Sequence, residues 1–169
     1  WTYSNNIHLL WKLNLHNYEE AIEDFNKAIE LNSNCFQAYA NRGLAKHDLK
    51  KYEEAIEDFN KAIELKPNNA KAYCNRGLAK HEIKEYKSAI EDYTKAIELD
   101  SNDTYAYYNR GNTKFDLQDY KGALEDYTNA IKLDPNDTKS YYNRGNAKGA
   151  LNDQIGAIED FTKVIELAP

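Results

Sequence analysis

Apolar residues recur along most of the chain with the spacing of one face of an α-helix. In one segment they follow the i, i+3, i+4, i+7 rule, at Tyr52, Ala55, Ile56, Phe59, Ala62 and Ile63. Charged residues fill the positions between them, and Glu57 precedes Lys61 by one helical turn, which favours an exposed helix face. The alternation of period two that is typical of half-buried strands is absent. The pattern therefore predicts an all-α protein.

The chain also repeats itself with a fixed step of 34 residues, marked by Tyr39, Tyr73, Tyr107 and Tyr141. Each tyrosine is followed by the same Asn-Arg-Gly phrase, and a second phrase, Ala-Ile-Glu-Asp-Phe or a close variant, keeps the same step. A period between 20 and 50 residues indicates stacked units that bury their apolar faces on one another. We predict one array over residues 1–169, with a degenerate first repeat at 1–35 and regular repeats at 36–69, 70–103, 104–137 and 138–169.

Each repeat has the signals of a helix, a turn and a second helix. Pro67 and Pro135 follow the end of a second helix, and Asn or Asp residues at 68, 69, 136 and 137 offer N-caps for the next one. Gly43 and its counterparts fall inside the first helices, where glycine costs about 1 kcal/mol relative to alanine. We expect this cost to be offset by a tight helix crossing at each glycine.

This combination resembles the tetratricopeptide repeat family. The aromatic, glycine and alanine positions of that family's motif fall, in one repeat, on Tyr39, Gly43, Tyr52, Ala55, Phe59, Ala62 and Pro67. The resemblance implies an α-solenoid, a right-handed superhelix of antiparallel helix pairs. It also implies that the first helices line a concave groove that holds a peptide or helix of a partner protein.

The positions that face the groove in this family can be transferred to the sequence one by one. They are Asn41, Leu44, His47, Lys71, Asn75, Leu78, His81, Tyr105, Tyr108, Asn109, Asn112, Phe115, Tyr142, Asn143 and Asn146. The asparagines at 41, 75, 109 and 143 offer donors and acceptors for the main chain of a ligand. The aromatic residues are candidate binding anchors. Solvated amides and simple packing between helices are the alternatives for the two sets.

The sequence departs from the family's usual pattern at two kinds of position. Arg42 and Lys46, with their counterparts in the later repeats, stand where the family usually has Leu and Tyr. Two interpretations follow: a ladder of arginine–aspartate pairs with the second helices, or a cationic strip for an acidic partner. A lysine that helps to grip a C-terminal carboxylate in the chaperone-binding members is also missing. Its place holds Ala40, Cys74, Tyr108 and Tyr142.

The composition and the motifs of the sequence limit the classes of partner and activity that we expect. The chain has 22 Lys and Arg against 28 Asp and Glu, and this net charge of −6 disfavours nucleic acid and anionic membranes as partners. We find no nucleophile motif and no phosphate-binding loop, and we interpret His47 and His81 as solvent-facing side chains rather than metal ligands. We therefore expect a non-catalytic protein-binding scaffold without a cofactor or metal. Its two isolated cysteines mildly favour a cytoplasmic location.

The two ends of the sequence differ from its middle. Residues 7–15 do not match the repeat motif, since Leu9 stands at the glycine place. Near the other end, Ile158, Phe161 and Ile165 belong to a helix for which we expect no covering neighbour. Exposed apolar stripes often mediate self-association. A homotypic assembly module is therefore the alternative function, and a substrate-recruiting part of a larger enzyme is a third.

Overall fold

A computed structural model describes residues 17–167 of the chain. This part of the chain forms nine α-helices and no strand, which confirms the all-α prediction. The helices are α1 (Tyr18–Leu31), α2 (Phe36–Asp48), α3 (Tyr52–Leu65), α4 (Ala70–Glu82), α5 (Tyr86–Leu99), α6 (Thr104–Asp116), α7 (Tyr120–Leu133), α8 (Thr138–Ala150) and α9 (Gln154–Leu167). The irregular segment 7–15 lies outside the described residues.

The helices are distributed over two compact units, residues 1–83 and 84–169. In the first unit, α1 packs on α2, α2 on α3 and α3 on α4. In the second unit, each helix from α5 to α9 packs on the next in the same sequential way. The first helices of successive repeats also touch, α2 with α4 and α6 with α8. This is the helix-pair architecture that the 34-residue period predicts.

Small residues and large aromatic residues alternate in the core of both units. In the first unit, Ala55 and Phe59 of α3 pack against Ala79 of α4. In the second unit, Ala123 and Tyr127 of α7 pack against Ala147 of α8. Alanine on the neighbouring helix lets the two backbones approach, and the aromatic ring fills the remaining space at native density.

The repeated glycines lie at tight contacts, as predicted, and the group that they accommodate is an aromatic ring. A Cβ atom added to Gly43 would lie 2.8 Å from the ring of Phe59. At Gly111 the same atom would lie 2.8 Å from the ring of Tyr127, and at Gly145 it would lie 2.7 Å from the ring of Phe161. The burial of these rings offsets the low helix propensity of glycine.

The turn between the two helices of a repeat has a recurring backbone conformation. Lys50, Lys84, Gln118 and Asn152 have φ between 60° and 64°, in the left-handed region that side chains other than glycine rarely adopt. At the helix N-termini, the side chains of Asp103, Asp119 and Asp137 accept hydrogen bonds from backbone N–H groups. The cap predicted at 137 is thus confirmed, whereas Asn69 occupies an N-cap position without a side-chain bond.

Candidate functional site

The arginines that depart from the family pattern pair with aspartates of the second helices. Arg42 Nε donates to Asp58 Oδ2 at 2.9 Å, and Lys46 Nζ lies 2.9 Å from the same oxygen. The side chain of Asp58 is 5% exposed, so its negative charge is compensated inside the protein by two cations. Arg42 Nη2 also donates to Asp58 Oδ1 at 2.5 Å, so the arginine and the carboxylate form a charge-assisted, two-point pair.

The second unit contains the same arrangement twice. Arg110 and Lys114 contact Asp126, with Nε at 2.9 Å and Nζ at 2.8 Å from its Oδ2 atom. The third set consists of Arg144, Lys148 and Asp160, with distances of 2.8 Å and 2.9 Å. We call the pairs Arg42–Asp58, Arg110–Asp126 and Arg144–Asp160 the arginine–aspartate ladder.

The ladder decides between the two interpretations of these cations. Because each arginine and its neighbouring lysine contact a buried carboxylate, they do not form a cationic strip for an acidic partner. Burial by itself raises the pKa of Asp160, but hydrogen bonds from Arg144 and Lys148 outweigh it, so that the pKa is lowered overall. The predicted ladder is confirmed in these three repeats.

The groove residues predicted for the first unit lie on α2 and α4. Lys71 is exposed, and the remaining residues are half-buried: Asn41, Leu44, His47, Asn75, Leu78 and His81. Leu44 packs against the cluster of Ala55, Phe59 and Ala79. Leu44 therefore makes an apolar contact with the core at this position of the first-helix face.

His47 differs from the prediction that it faces solvent. Its side chain is 18% exposed, and its ring meets the ring of Tyr52 edge to face at a centroid distance of 5.2 Å. Nδ1 lies 3.5 Å from Asp48 Oδ1, whereas Nε2 is buried without a hydrogen-bond partner. The interpretation of His47 as a solvent-facing side chain is wrong, because the aromatic residue at the start of α3 covers it.

The groove residues predicted for the second unit lie on α6 and α8 and include the most exposed aromatic side chains. Tyr105 and Tyr142 are 50% and 54% exposed. Four other members are half-buried, namely Tyr108, Asn112, Asn143 and Asn146, and Phe115 is half-buried against Tyr120. Large aromatic side chains with a polar tip are the residue type enriched at binding hot spots.

A hydrogen-bond network joins three helices of the second unit. The hydroxyl of Tyr127 on α7 donates to Asn112 Oδ1 on α6 at 2.9 Å. Asn143 Nδ2 on α8 donates to the same oxygen at 2.9 Å and to the hydroxyl oxygen of Tyr108 at 3.2 Å. We call Tyr108, Asn112, Tyr127 and Asn143 the amide–phenol network.

The asparagines at corresponding positions have different environments. Asn109 is 7% exposed, and its Nδ2 atom donates to the backbone oxygen of Tyr105 at 2.8 Å, one turn earlier in the same helix. Asn143 instead bonds across to α6. Asparagines at the same position of the repeat therefore make different hydrogen bonds, a difference that the repeated Asn-Arg-Gly phrase does not predict.

Tyr127 is the member of the network that the sequence analysis missed. It occupies the aromatic core position of its repeat, where Phe25, Phe59 and Phe161 have no hydroxyl group. The replacement of Leu44 and Leu78 by Asn112 at a matching groove position was the available signal. A hydroxyl and an amide that both appear in one repeat indicate a hydrogen bond between its helices.

Comparison with models of known protein families shows to which family the chain belongs. Models described as "TPR repeat" match residues 15–50 and 45–84, and models described as "Tetratricopeptide repeat" match 70–103, 104–137 and 138–169. The chain therefore belongs to the tetratricopeptide repeat family. This family and fold are typical of protein-interaction scaffolds without catalytic activity.

Solved structures agree with this assignment. A structure described as MamA 41-end from Desulfovibrio magneticus RS-1 has 27% identity and a TM-score of 0.87, covering 94% of this chain and 90% of its own. YrrB, described as a TPR protein with an unusual peptide-binding site, has 25% identity and a TM-score of 0.79, with 95% and 83% covered. The first TPR of Spaghetti (RPAP3), bound to HSP90 peptide SRMEEVD, has 28% identity and a TM-score of 0.68, with 69% and 93% covered.

Three negative findings complete the comparison. No curated protein sequence matches the chain significantly. Among residues 17–167, none of the helices is both long and apolar enough to cross a membrane. The same part of the chain contains no group of three or more His, Cys, Asp or Glu side chains placed to hold a metal ion.

Proposed function

We propose that the chain binds a peptide segment of a partner protein on the first-helix faces of its repeats. The observation that carries this proposal is the exposure of two large aromatic side chains, Tyr105 and Tyr142, on α6 and α8. Covering such side chains with a ligand removes a large apolar area from water while their hydroxyl groups keep polar partners. Two structural neighbours support the choice of a peptide as ligand: YrrB is described as having a peptide-binding site, and the first TPR of RPAP3 is bound to a peptide.

The charges on α6 and α8 favour a bound peptide segment without charged side chains. Four of the five cations of α6 and α8, Arg110, Lys114, Arg144 and Lys148, contact buried aspartates. The peptide in the RPAP3 complex, SRMEEVD, contains two glutamates and ends in an aspartate. We do not expect this chain to bind an acidic peptide by its C-terminal carboxylate. Tyr108 and Tyr142 stand at the place of the lysine that helps to grip this carboxylate in chaperone-binding members.

A selection from a phage-displayed library of random linear peptides tests the proposal. Replacing Tyr105 and Tyr142 together by alanine should weaken the selected peptides at least about tenfold, since truncation of an aromatic hot spot typically costs 2 kcal/mol or more. Tyr108 is a poorer target because it packs against the core ring of Tyr127 at a centroid distance of 6.2 Å.

The matched control replaces Leu117 and Leu133 by alanine. These side chains are 41% and 38% exposed, but they lie at the ends of α6 and α7. This variant should bind the selected peptides like the unmodified chain. Equal losses in the two variants, or a selection that yields no peptide, would contradict the proposal.

The second candidate function, homotypic assembly, is favoured by the surface of α9. Ile155, Ile158 and Ile165 are 75%, 65% and 75% exposed, whereas Ile131, which corresponds to Ile165 one repeat earlier, is 8% exposed. The position of Ile155 holds a charged residue in every other repeat, namely Glu19, Glu53, Lys87 and Lys121. Its apolar side chain is therefore not required by the packing that the repeats share.

Light scattering over a concentration series tests this candidate. If α9 mediates self-association, the mass should rise with concentration, and Ile155→Lys, which introduces the residue found at 121, should abolish the rise. Because lysine is tolerated at this position in the preceding repeat, the variant should keep its melting temperature. A monomer at every concentration would dismiss homotypic assembly.

A further inference from the structure

We infer that Asn112, Asn143 and Tyr108 form a preorganised, uncharged site that hydrogen-bonds one peptide group of the bound segment. The inference rests on the proposed function and specifies the chemistry that the second unit recognises. It depends on how the amide–phenol network orients the side chains on the surface of α6 and α8.

The orientation of Asn112 follows from the burial of Tyr127. The side chain of Tyr127 is 1% exposed, so its hydroxyl proton requires an acceptor inside the protein. Asn112 Oδ1 accepts this proton at 2.9 Å and also accepts from Asn143 Nδ2 at 2.9 Å. With its oxygen used twice, Asn112 is held with its Nδ2 group as the remaining hydrogen-bond donor.

The orientation of Asn143 follows from the same contacts. Its Nδ2 atom donates to Asn112 Oδ1 and to the hydroxyl oxygen of Tyr108, so its Oδ1 atom remains as an acceptor. The proton of the Tyr108 hydroxyl is available as a second donor, since its oxygen is the acceptor in that bond. Asn112 Nδ2 and Asn143 Oδ1 are not buried side-chain atoms without a partner, so both are accessible to solvent or to a ligand, and the side chain of Tyr108 is half-buried.

The remaining groups match the hydrogen-bonding capacity of an amide. A peptide group presents one C=O acceptor and one N–H donor, and the site offers donors on Asn112 and Tyr108 beside an acceptor on Asn143. A neutral amide requires no counter-charge. The neighbouring cations Arg110, Arg144 and Lys148 are compensated by buried aspartates. Because the network holds the side chains in place before binding, little rotamer entropy is lost when the ligand arrives.

The first unit shows what the same fold looks like without this site. The positions of Tyr108, Asn112 and Tyr127 hold Ala40, Leu44 and Phe59 there, 68 residues earlier. Leu44 packs against the cluster that contains Phe59, so an apolar contact replaces the polar network. The substitutions Asn112→Leu and Tyr127→Phe therefore introduce residues that the chain itself accommodates at equivalent positions.

These substitutions provide the test, with peptides selected from the phage-displayed library as probes. Asn112→Leu should weaken the selected peptides about tenfold, the loss expected when hydrogen bonds to a ligand are removed. Tyr127→Phe should weaken them about three- to fivefold without touching the peptide, because Asn112 is then no longer held in place. In the Asn112→Leu background, Tyr127→Phe should cause no further loss, since its effect acts through Asn112.

The peptide group itself is tested by methylating the backbone nitrogens of a selected peptide one at a time. One methylation should weaken binding to the unmodified chain but not to the Asn112→Leu variant. Tyr127→Phe and the double variant should keep melting temperatures within a few degrees of the unmodified chain, whereas Asn112→Leu, which leaves the buried Tyr127 hydroxyl without its acceptor, should melt at a lower temperature but remain folded. Unchanged affinity of Asn112→Leu, or additive losses from Asn112→Leu and Tyr127→Phe, would overturn the inference.

The outcomes separate this inference from the proposed function. If no peptide binds, or if replacing Tyr105 and Tyr142 has no effect, the proposed function fails. If the selected peptides require Tyr142 but not Asn112, only the peptide-group site is refuted. Selection of mostly acidic peptides would refute the uncharged character of the site while leaving peptide binding in place.

Discussion

The two compact units share their packing but differ in the chemistry of their first-helix faces. Both place an aromatic ring against a glycine, Phe59 on Gly43 in one and Tyr127 on Gly111 in the other. Yet the groove position above the ring is Leu44 in the first unit and Asn112 in the second. A hydroxyl group on the ring and an amide in place of leucine together replace an apolar contact by a hydrogen-bond network. The comparison shows that the repeat fold tolerates changes in face chemistry while its packing stays constant.

The largest effect is expected from removing an aspartate of the ladder in either unit. Asp58→Ala and Asp126→Ala each leave a partly buried arginine and lysine without their carboxylate, which should cost about 3 kcal/mol. Thermal unfolding followed by circular dichroism should show melting temperatures lower by roughly 10 °C in both variants. The surface pair of Lys61 and Glu64 supplies the control, since Glu64→Ala should change stability by less than about 1 kcal/mol. A loss confined to one unit would show that their packing is not equivalent.

The second-largest loss of stability is expected when a side chain is added to a glycine that contacts a core aromatic ring. Gly43→Leu and Gly111→Leu should each cost about 2 kcal/mol, because the new side chain overlaps the ring of Phe59 or Tyr127. Gly149 is the control, since no atom lies within 4 Å of a Cβ atom added there, and Gly149→Leu should leave the melting temperature unchanged or raise it slightly.

The glycine variants of the two units should also differ in their affinity for the selected peptides. Gly111→Leu displaces the ring of Tyr127 and should weaken the selected peptides, whereas Gly43→Leu should not. Similar melting temperatures for the Gly43, Gly111 and Gly149 variants would contradict the packing described for both units.

A smaller effect distinguishes the two rings by their response to alkali. Burial raises the pKa of the Tyr127 hydroxyl above its ordinary value, with nearby Tyr108 and Asp116 acting in the same direction. In the unfolded chain this group ionises near pH 10, so its contribution to stability is complete below about pH 10 and is lost as pH rises towards the folded pKa. Phe59 has no such group.

Melting temperatures between about pH 9 and 11 should therefore fall less steeply in Tyr127→Phe than in the unmodified chain. The variant Phe59→Leu serves as a control because it alters the corresponding core position without changing an ionisable group. Parallel pH profiles for Tyr127→Phe and the unmodified chain would indicate that the hydroxyl is not held in the buried network.

The smallest effect is expected at the turns. Lys50 and Gln118 have φ of 60° and 61°, a conformation that glycine adopts without strain. Replacement by glycine relieves about 1 kcal/mol of backbone strain but increases the entropy of the unfolded chain, so the net gain should be a few tenths of a kcal/mol. Differential scanning calorimetry should show a slight rise in melting temperature for Gln118→Gly and none for Gln118→Ala. Equal rises would mean that the gain comes from the side chain and not from φ.

The sequence was most informative where the physical cause is local. The apolar stripe of Tyr52, Ala55 and Phe59 follows from the geometry of one helix, so the helices and their order were predictable from spacing alone. The glycine at 43 also indicated a tight contact, because its cost inside a helix requires compensation. The pairing of Arg42 with Asp58 remained one of two interpretations, since it depends on how two helices cross.

The candidate site was less predictable for the same reason. His47 was interpreted as facing solvent rather than binding a metal, yet Tyr52 of the next helix covers it. Tyr127 matched a packing position and was not considered for the site, although its hydroxyl bonds to Asn112. The assignment of the fifteen groove positions to peptide binding remains a prediction.

The sequence by itself determined the repeat, the helical pairs and the family, because a 34-residue period and the amphipathic spacing within it act over a few turns of one chain. Only the tertiary structure decided which charges are compensated and which amides hydrogen-bond to one another and to a buried phenol. Such partners lie up to 35 residues apart, as Tyr108 and Asn143 do, and they meet only when several helices pack at defined angles. Residue type specifies what a side chain can bond, whereas packing selects the bond that it makes.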